Sequence, residues 1–158
     1  MSIIDATPGI AVADLHRIAA APAGAAPSFA AAVVVDDLVY TSGQLPLVDG
    51  ALTAVGLVGR DIAVEEAAMA ARACAANALA AAATAAAGRR IERVVKMTGF
   101  VASAPGFNDQ PAVMNAASAY LHEVFGAAGE HVRSAIGAAS LPRNAAVEVE
   151  LVVRLVRD

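Results

Sequence analysis

Cysteine is almost absent from this chain. Cys74 is the only one in 158 residues, which excludes an intrachain disulfide framework and fits a reducing compartment. An excess of basic charge is missing too. The net charge is −4, so nothing suggests a general binder of polyanions. The histidines, His16, His122 and His131, lack ligand spacing, and no metal site is expected. There is no glycine-rich phosphate loop, and no cofactor is called for. The first residues, MSIIDATPG, have neither a basic segment nor a long apolar stretch. They do not read as a secretory signal, and a cytoplasmic protein is expected. No internal repeat and no long linker interrupts the chain, whose length suits about one domain with a real core.

What is abundant is alanine. Residues 67–87 are nearly continuous alanine, broken by Arg72 and Asn77. Alanine is only weakly lipophilic, so this run reads as a buried or half-buried helix and not as a membrane span. The helix is expected from Asp61 or Val64 to Ala87. Glu65 and Glu66 favour its positive N-terminal end, and Gly88 stops it. A second helix is expected from Asp109 or Gln110 to Phe125, with Pro111 tolerated in its first turn. Val113, Ala117, Tyr120, Leu121 and Val124 fall at helical spacing, and Gly126 and Gly129 end it.

Strands are expected over 30–35 and 38–42, joined by Asp36-Asp37, and over 91–103. Asp49-Gly50 marks another turn before a short strand at 51–54. A short helix is expected over 11–21, where Leu15 and Ile18 lie at helical spacing, and Pro22, Gly24 and Pro27 mark a loop. Two more strands, 131–137 and 147–156, flank the break at Leu141-Pro142. In the last one, Val147, Val149, Leu151, Val153 and Leu155 share one parity. Glu148, Glu150, Val152 and Arg154 share the other, so one face of that strand belongs to a core. The order β-β-(β)-α-β-α-β-β implies an α+β layout, with two long helices on one face of a mixed sheet. The second face would then carry Glu148, Glu150 and Val152.

Arg133 is the leading candidate for chemistry. If the two terminal strands pair as antiparallel neighbours, Arg133 and Glu148 come close. An arginine fork beside a carboxylate suits the binding of a small carboxylate and the movement of a proton near it. The alternative is a structural ion pair with Glu148 or Glu150, the commoner role of a lone arginine. Glu150 shares the face of Glu148 and is its rival by parity. Ser42 and Gly43 end a strand, where a hydroxyl, a free N–H and the close approach allowed by glycine could serve a carboxylate or carbonyl oxygen. They are otherwise an ordinary strand end. Asn115 is, on residue type alone, a polar residue on a helix. Cys74 reads as a small core residue. The basic cluster from Arg89 to Lys96 reads as a solvated loop and strand start.

Several motifs in order carry a family resemblance: TSGQLP at 41–46, MTGFVASAPGFNDQP at 97–111, and the terminal Arg-Ser, Leu-Pro and Val-Glu-Val-Glu. Together they resemble the YjgF / RidA family, also called L-PSP endoribonuclease-like proteins, in a branch with an N-terminal extension. The resemblance implies an extension over 1–25 and a RidA-like domain over 26–158. It implies a chorismate-mutase-like fold of the bacillary type, packed as a homotrimer with ligand sites in clefts between subunits. The ligand would be a small 2-oxo or 2-imino carboxylate, with no membrane and no specific nucleic acid as partner. Family enzymes hydrolyse enamines and imines to 2-oxo acids and ammonia. A non-catalytic carboxylate-binding protein is the alternative, and an endoribonuclease the third reading. Arg133 matches the arginine that holds the substrate carboxylate. Glu148 matches a glutamate that positions or activates water. Ser42 and Gly43 fall at the cleft, and Asn115 matches an asparagine that reaches into the neighbouring subunit's site. Two positions depart from the family pattern: Phe29 stands where a tyrosine is usual, and Ala135 where a cysteine is usual.

Overall fold

The protein is described here by a computed structural model over residues 29–157. The helix expected over 11–21 and the loop after it lie outside these residues. Two turns shape the first part of the chain. Asp36, at φ +55°, joins β1 (Ala32–Val35) to β2 (Leu38–Thr41). Aspartate accepts this left-handed conformation more readily than most residues. Asp49 and Gly50 both have positive φ, at +51° and +80°. That is the turn geometry that matches strand twist, and it links β3 (Leu47–Val48) to β4 (Ala51–Leu52).

Helix α1 spans Val64–Ala85, with Glu65 and Glu66 in its first turn. It ends slightly before Gly88, at a turn where Ala87 already has φ +51°. Ala70, Ala71, Cys74, Ala75, Ala78 and Leu79 are buried. Side chains this small let the helix lie close against β7 and against the second helix. Cys74 is part of that packing, its thiol facing the Val147 carbonyl at 3.6 Å. Burial pushes the thiol up, so it stays protonated and inert. No helix among the described residues is long and apolar enough to cross a membrane.

Strand β5 (Ile91–Ala102), helix α2 (Gln110–Phe125) and β6 (Val132–Ala138) form a parallel crossover. Val113, Met114, Ala117, Tyr120 and Leu121 are the buried face of α2. A Cβ on Gly99 of β5 would fall 2.2 Å from the Met114 sulfur, so this glycine lets α2 sit down on the sheet. On the outer side of α2, Glu123 pairs with Arg72 of α1, whose guanidinium also lies 4.7 Å from the Tyr120 ring centroid.

The last strand, β7 (Val147–Leu155), does not pair with β6. The sheet order is β1-β2-β7-β5-β6, and β7 is antiparallel to both β2 and β5. The expectation that the two terminal strands are antiparallel neighbours is therefore overturned. The reason lies in their partner strand. In β5, Val94, Met97, Thr98, Gly99, Val101 and Ala102 are all buried, the pattern of a central strand. In β6, Val132, Ser134, Ile136 and Gly137 are exposed, the pattern of an edge. The connection through the 3-10 turn Pro142–Asn144 crosses the end of β5, where Ala102 N–H donates to Ala146 O at 2.9 Å.

As the alternation in β7 predicts, Val147, Val149, Leu151, Val153 and Leu155 are buried under the helices. Glu148, Glu150, Val152 and Arg154 point to the other face. Val33, Val35 and Tyr40 share that face by register with Leu38 and Val152. Val132 and Ile136 share it through Lys96 and Phe100. These five apolar side chains are exposed within the single chain.

Candidate functional site

The candidate residues fall into two groups on opposite faces of the sheet. Arg133, on the edge strand, is in register with Met97, which is in register with Leu151. Paired residues point to the same side, so Arg133 lies on the helix-covered face. Glu148 is in register with Phe100 and lies on the open face. Three residues of β5 and two strand spacings separate them, roughly 10 Å in each direction. No ion pair joins Arg133 to Glu148 or Glu150 within the chain.

On the helix side, Arg133 reaches across to α2. Its Nη1 donates to Asn115 Oδ1 at 3.1 Å and to Ser118 Oγ at 3.2 Å. Ser118 Oγ also lies 3.2 Å from His131 Nε2, and His131 Nδ1 lies 2.6 Å from the carbonyl of Gly129. Asn115 thus meets Arg133 of its own chain. Sequence reasoning missed Ser118 and His131. A usable signal existed: Asn115 and Ser118 are three apart on one helix, and His131 and Arg133 share strand parity. Nothing in the sequence told that these two pairs face each other.

On the open side, Glu148 lies over Gly43. A Cβ on Gly43 would fall 1.7 Å from Glu148 Oε1. A bulge makes this room. The β2–β7 ladder runs to Tyr40 and Val152 and resumes as a bridge between Gln44 and Val149. Between them Thr41 Oγ1 accepts the N–H of Leu151 at 2.9 Å. Bulges of this kind redirect a strand end beside a site. Asn77, buried in α1, fastens the segment leading into β3 by donating to the carbonyls of Leu45 and Leu47 at 2.9 and 3.1 Å.

Ser42 is less available than its residue type implies. Its hydroxyl donates to Ala30 O at 2.7 Å and its N–H to Ala31 O at 2.8 Å. What remains is a lone pair on its oxygen. The N–H of Gly43 has no partner among the described residues. Phe29 precedes β1 with its ring exposed. Ala135 is half-buried beside the core, on the same parity as Arg133.

Burial pushes the Glu148 carboxyl above its ordinary value of 4.5, and the charge of Glu150 adds to the rise. The folded chain therefore holds this proton to higher pH than the unfolded chain does. The stability linked to it is present below pH 4.5 and is lost as pH rises through the folded value. Glu148→Gln should then be more thermally stable than wild type at neutral pH, and the gain should vanish in acid. Melting curves of both across the acid-to-neutral range check this. A variant no more stable at neutral pH would mean that the carboxylate gains a cationic partner in the assembled protein.

Comparison with known proteins agrees with this architecture. A family model described as endoribonuclease L-PSP matches residues 18–155. Protein TCP17 of Trypanosoma cruzi is 39% identical over 152 residues, covering 93% of this chain and 95% of its own. The crystal structure of Atu1372 from Agrobacterium tumefaciens, a protein of unknown function, superposes with a TM-score of 0.79 at 44% identity, covering 82% of this chain and 83% of that one. The YjgF gene product of E. coli superposes with a TM-score of 0.61 at 25% identity, covering 85% of this chain and 92% of that one. With two helices on one face of a mixed sheet and this span of matched sequence, the chain belongs to the endoribonuclease L-PSP family, the family of YjgF.

Proposed function

We propose that the chain assembles as a homotrimer in the cytoplasm, binds small 2-oxo or 2-imino carboxylates in clefts between subunits, and hydrolyses imines or enamines to 2-oxo acids and ammonia. The separation of Arg133 and Glu148 carries this reading. Among the described residues neither has an oppositely charged partner, and they occupy opposite faces of one sheet. A site that uses both must be built from two copies. The exposed Val33, Val35, Tyr40, Val132 and Ile136 support the same assembly, since several exposed large apolar side chains on one sheet face favour a partner.

In such a cleft Arg133 holds the ligand carboxylate, with Asn115 orienting its guanidinium. The N–H of Gly43 and the oxygen of Ser42 meet a polar group of the ligand, and the ring of Phe29 borders it. Glu148 trades a proton with the nitrogen and the attacking water. Water adds to the imine carbon, the nitrogen is protonated, and the carbon–nitrogen bond breaks to give the 2-oxo acid and ammonia. That carbon is already electrophilic, so positioning and one proton carrier suffice.

Two measurements test the reading. Sedimentation should give three times the chain mass, and a stable monomer would remove the inter-subunit site. Imines generated in place by an amino-acid oxidase should be consumed with release of ammonia. Phe29→Tyr, which supplies the hydroxyl usual in the family, should speed this about tenfold to a hundredfold if that hydrogen bond forms in the transition state. Ligand binding without turnover in either form would favour the non-catalytic carboxylate-binding protein. RNA cleavage is the weaker reading. Of the basic cluster, Arg89 pairs with Asp37, which Arg157 shares, and Glu92 within it pairs with Arg154. Tight RNA binding with a steep salt dependence would reverse that judgement.

A further inference from the structure

The hydrogen bonds around Arg133 select which edge of its guanidinium stays free. Nη1 carries two protons, and Asn115 Oδ1 and Ser118 Oγ take one each, at 3.1 and 3.2 Å. The protons on Nε and Nη2 have no partner among the described residues. Those two nitrogens form the parallel fork that meets both oxygens of a carboxylate.

Ser118 is itself held. A carbonyl oxygen only accepts, so the 2.6 Å contact to Gly129 O puts a proton on His131 Nδ1. In the uncharged ring Nε2 is then bare and accepts the Ser118 hydroxyl proton across 3.2 Å. The Ser118 oxygen is left with its lone pairs facing Arg133. The hydrogen bonds therefore run in one direction, from Arg133 through Ser118 and His131 to the backbone of the 3-10 turn Gly126–Gly129 that follows α2. Gly129 is packed tightly there, since a Cβ on it would fall 2.3 Å from Leu121 O. The anchor of the chain of bonds is thus backbone, not a mobile side chain.

We propose that Ser118 and His131 are positioning residues for Arg133: they hold its Nη1 against α2 and present the Nε and Nη2 edge to the ligand carboxylate. The inference rests on Arg133 being the carboxylate anchor. The lock itself does not, and the two are measured separately.

Nitrogen-15 NMR of the full chain reads the lock without any ligand. Wild type should show His131 with Nδ1 protonated and Nε2 accepting, and separate Nη1 and Nη2 signals for Arg133, because rotation of a held guanidinium is slow. Ser118→Ala should merge the Nη signals while the backbone amides of β5, and those of α2 away from the substituted turn, keep their shifts. Ser118→Thr, which keeps the hydroxyl, should preserve the separation. Merged Nη signals in wild type, or His131 with its proton on Nε2, would overturn the lock. Titration with pyruvate then reads its purpose. Ser118→Ala and His131→Leu should weaken binding roughly tenfold, and Ser118→Thr should restore it. A wild type that shows the lock but binds no pyruvate removes Arg133 as the anchor and with it this use of the lock. A Ser118→Ala protein that loses the lock yet binds pyruvate as tightly as wild type overturns the positioning role alone.

Discussion

Arg133→Ala should abolish the binding of 2-oxo acids and leave the fold intact. The side chain lies on the edge strand β6 and contributes no part of the core cluster. Its protein contacts are hydrogen bonds to Asn115 and Ser118, both reachable by water once the guanidinium is gone. What the variant loses is the fork. Truncating one partner of a hydrogen-bonded charge pair costs about 2–5 kcal/mol, or about thirtyfold to several thousandfold in affinity. Arg133→Lys should recover little. An ammonium is a point charge and cannot donate to Asn115, Ser118 and both carboxylate oxygens in the geometry of a planar fork. Calorimetric titration of both variants with pyruvate checks the point, with far-ultraviolet circular dichroism as the control for folding. Unchanged affinity in Arg133→Ala would sink the anchor role.

That arginine also shows where sequence reasoning held and where it stopped. The alternation in β7 assigned its two faces correctly because period-two patterning is a local property. The helices were readable for similar reasons: alanine propensity and the glutamates at the start of α1, and helical spacing of the apolar residues in α2. Strand neighbours are a different matter. β6 and β7 are adjacent in the chain, yet β5 lies between them. Only the balance of burial between strands reveals this, and β5 is buried on both faces where β6 is not. The consequence reached the candidate site. Arg133 and Glu148, close in a hairpin, stand on opposite faces in the sheet. The contacts of Ser118 and His131 were unreadable for the same reason, because they depend on how α2 docks against β6.

Gly43→Ala should cost little stability and most of the imine hydrolysis. The backbone at Gly43 is ordinary, so the substitution brings no conformational strain. It brings a clash. The new methyl carbon would fall 1.7 Å from Glu148 Oε1 and 2.6 Å from its Cδ. The atoms it meets are the end of a flexible side chain, which can rotate aside. The stability cost should therefore be at or below the low end of the about 1–3 kcal/mol typical of overpacking. The chemistry has no such freedom. A carboxyl that positions water and carries a proton contributes about a hundredfold to ten-thousandfold, and it does so only within hydrogen-bond reach of the reacting atoms. Displaced by a methyl group, it should lose most of that. The signature is non-additivity. Glu148→Ala removes the group that clashes, so adding Gly43→Ala to it should change the rate no further, whereas two independent losses would multiply. Turnover of the in-place imine by the two single variants and the double variant, with thermal melts alongside, decides it. Full activity in Gly43→Ala would mean that the placement of Glu148 over Gly43 is not used in the reaction. A multiplicative loss in the double variant would mean that Gly43 acts on its own account, and its N–H, without a partner among the described residues, is then the group to pursue.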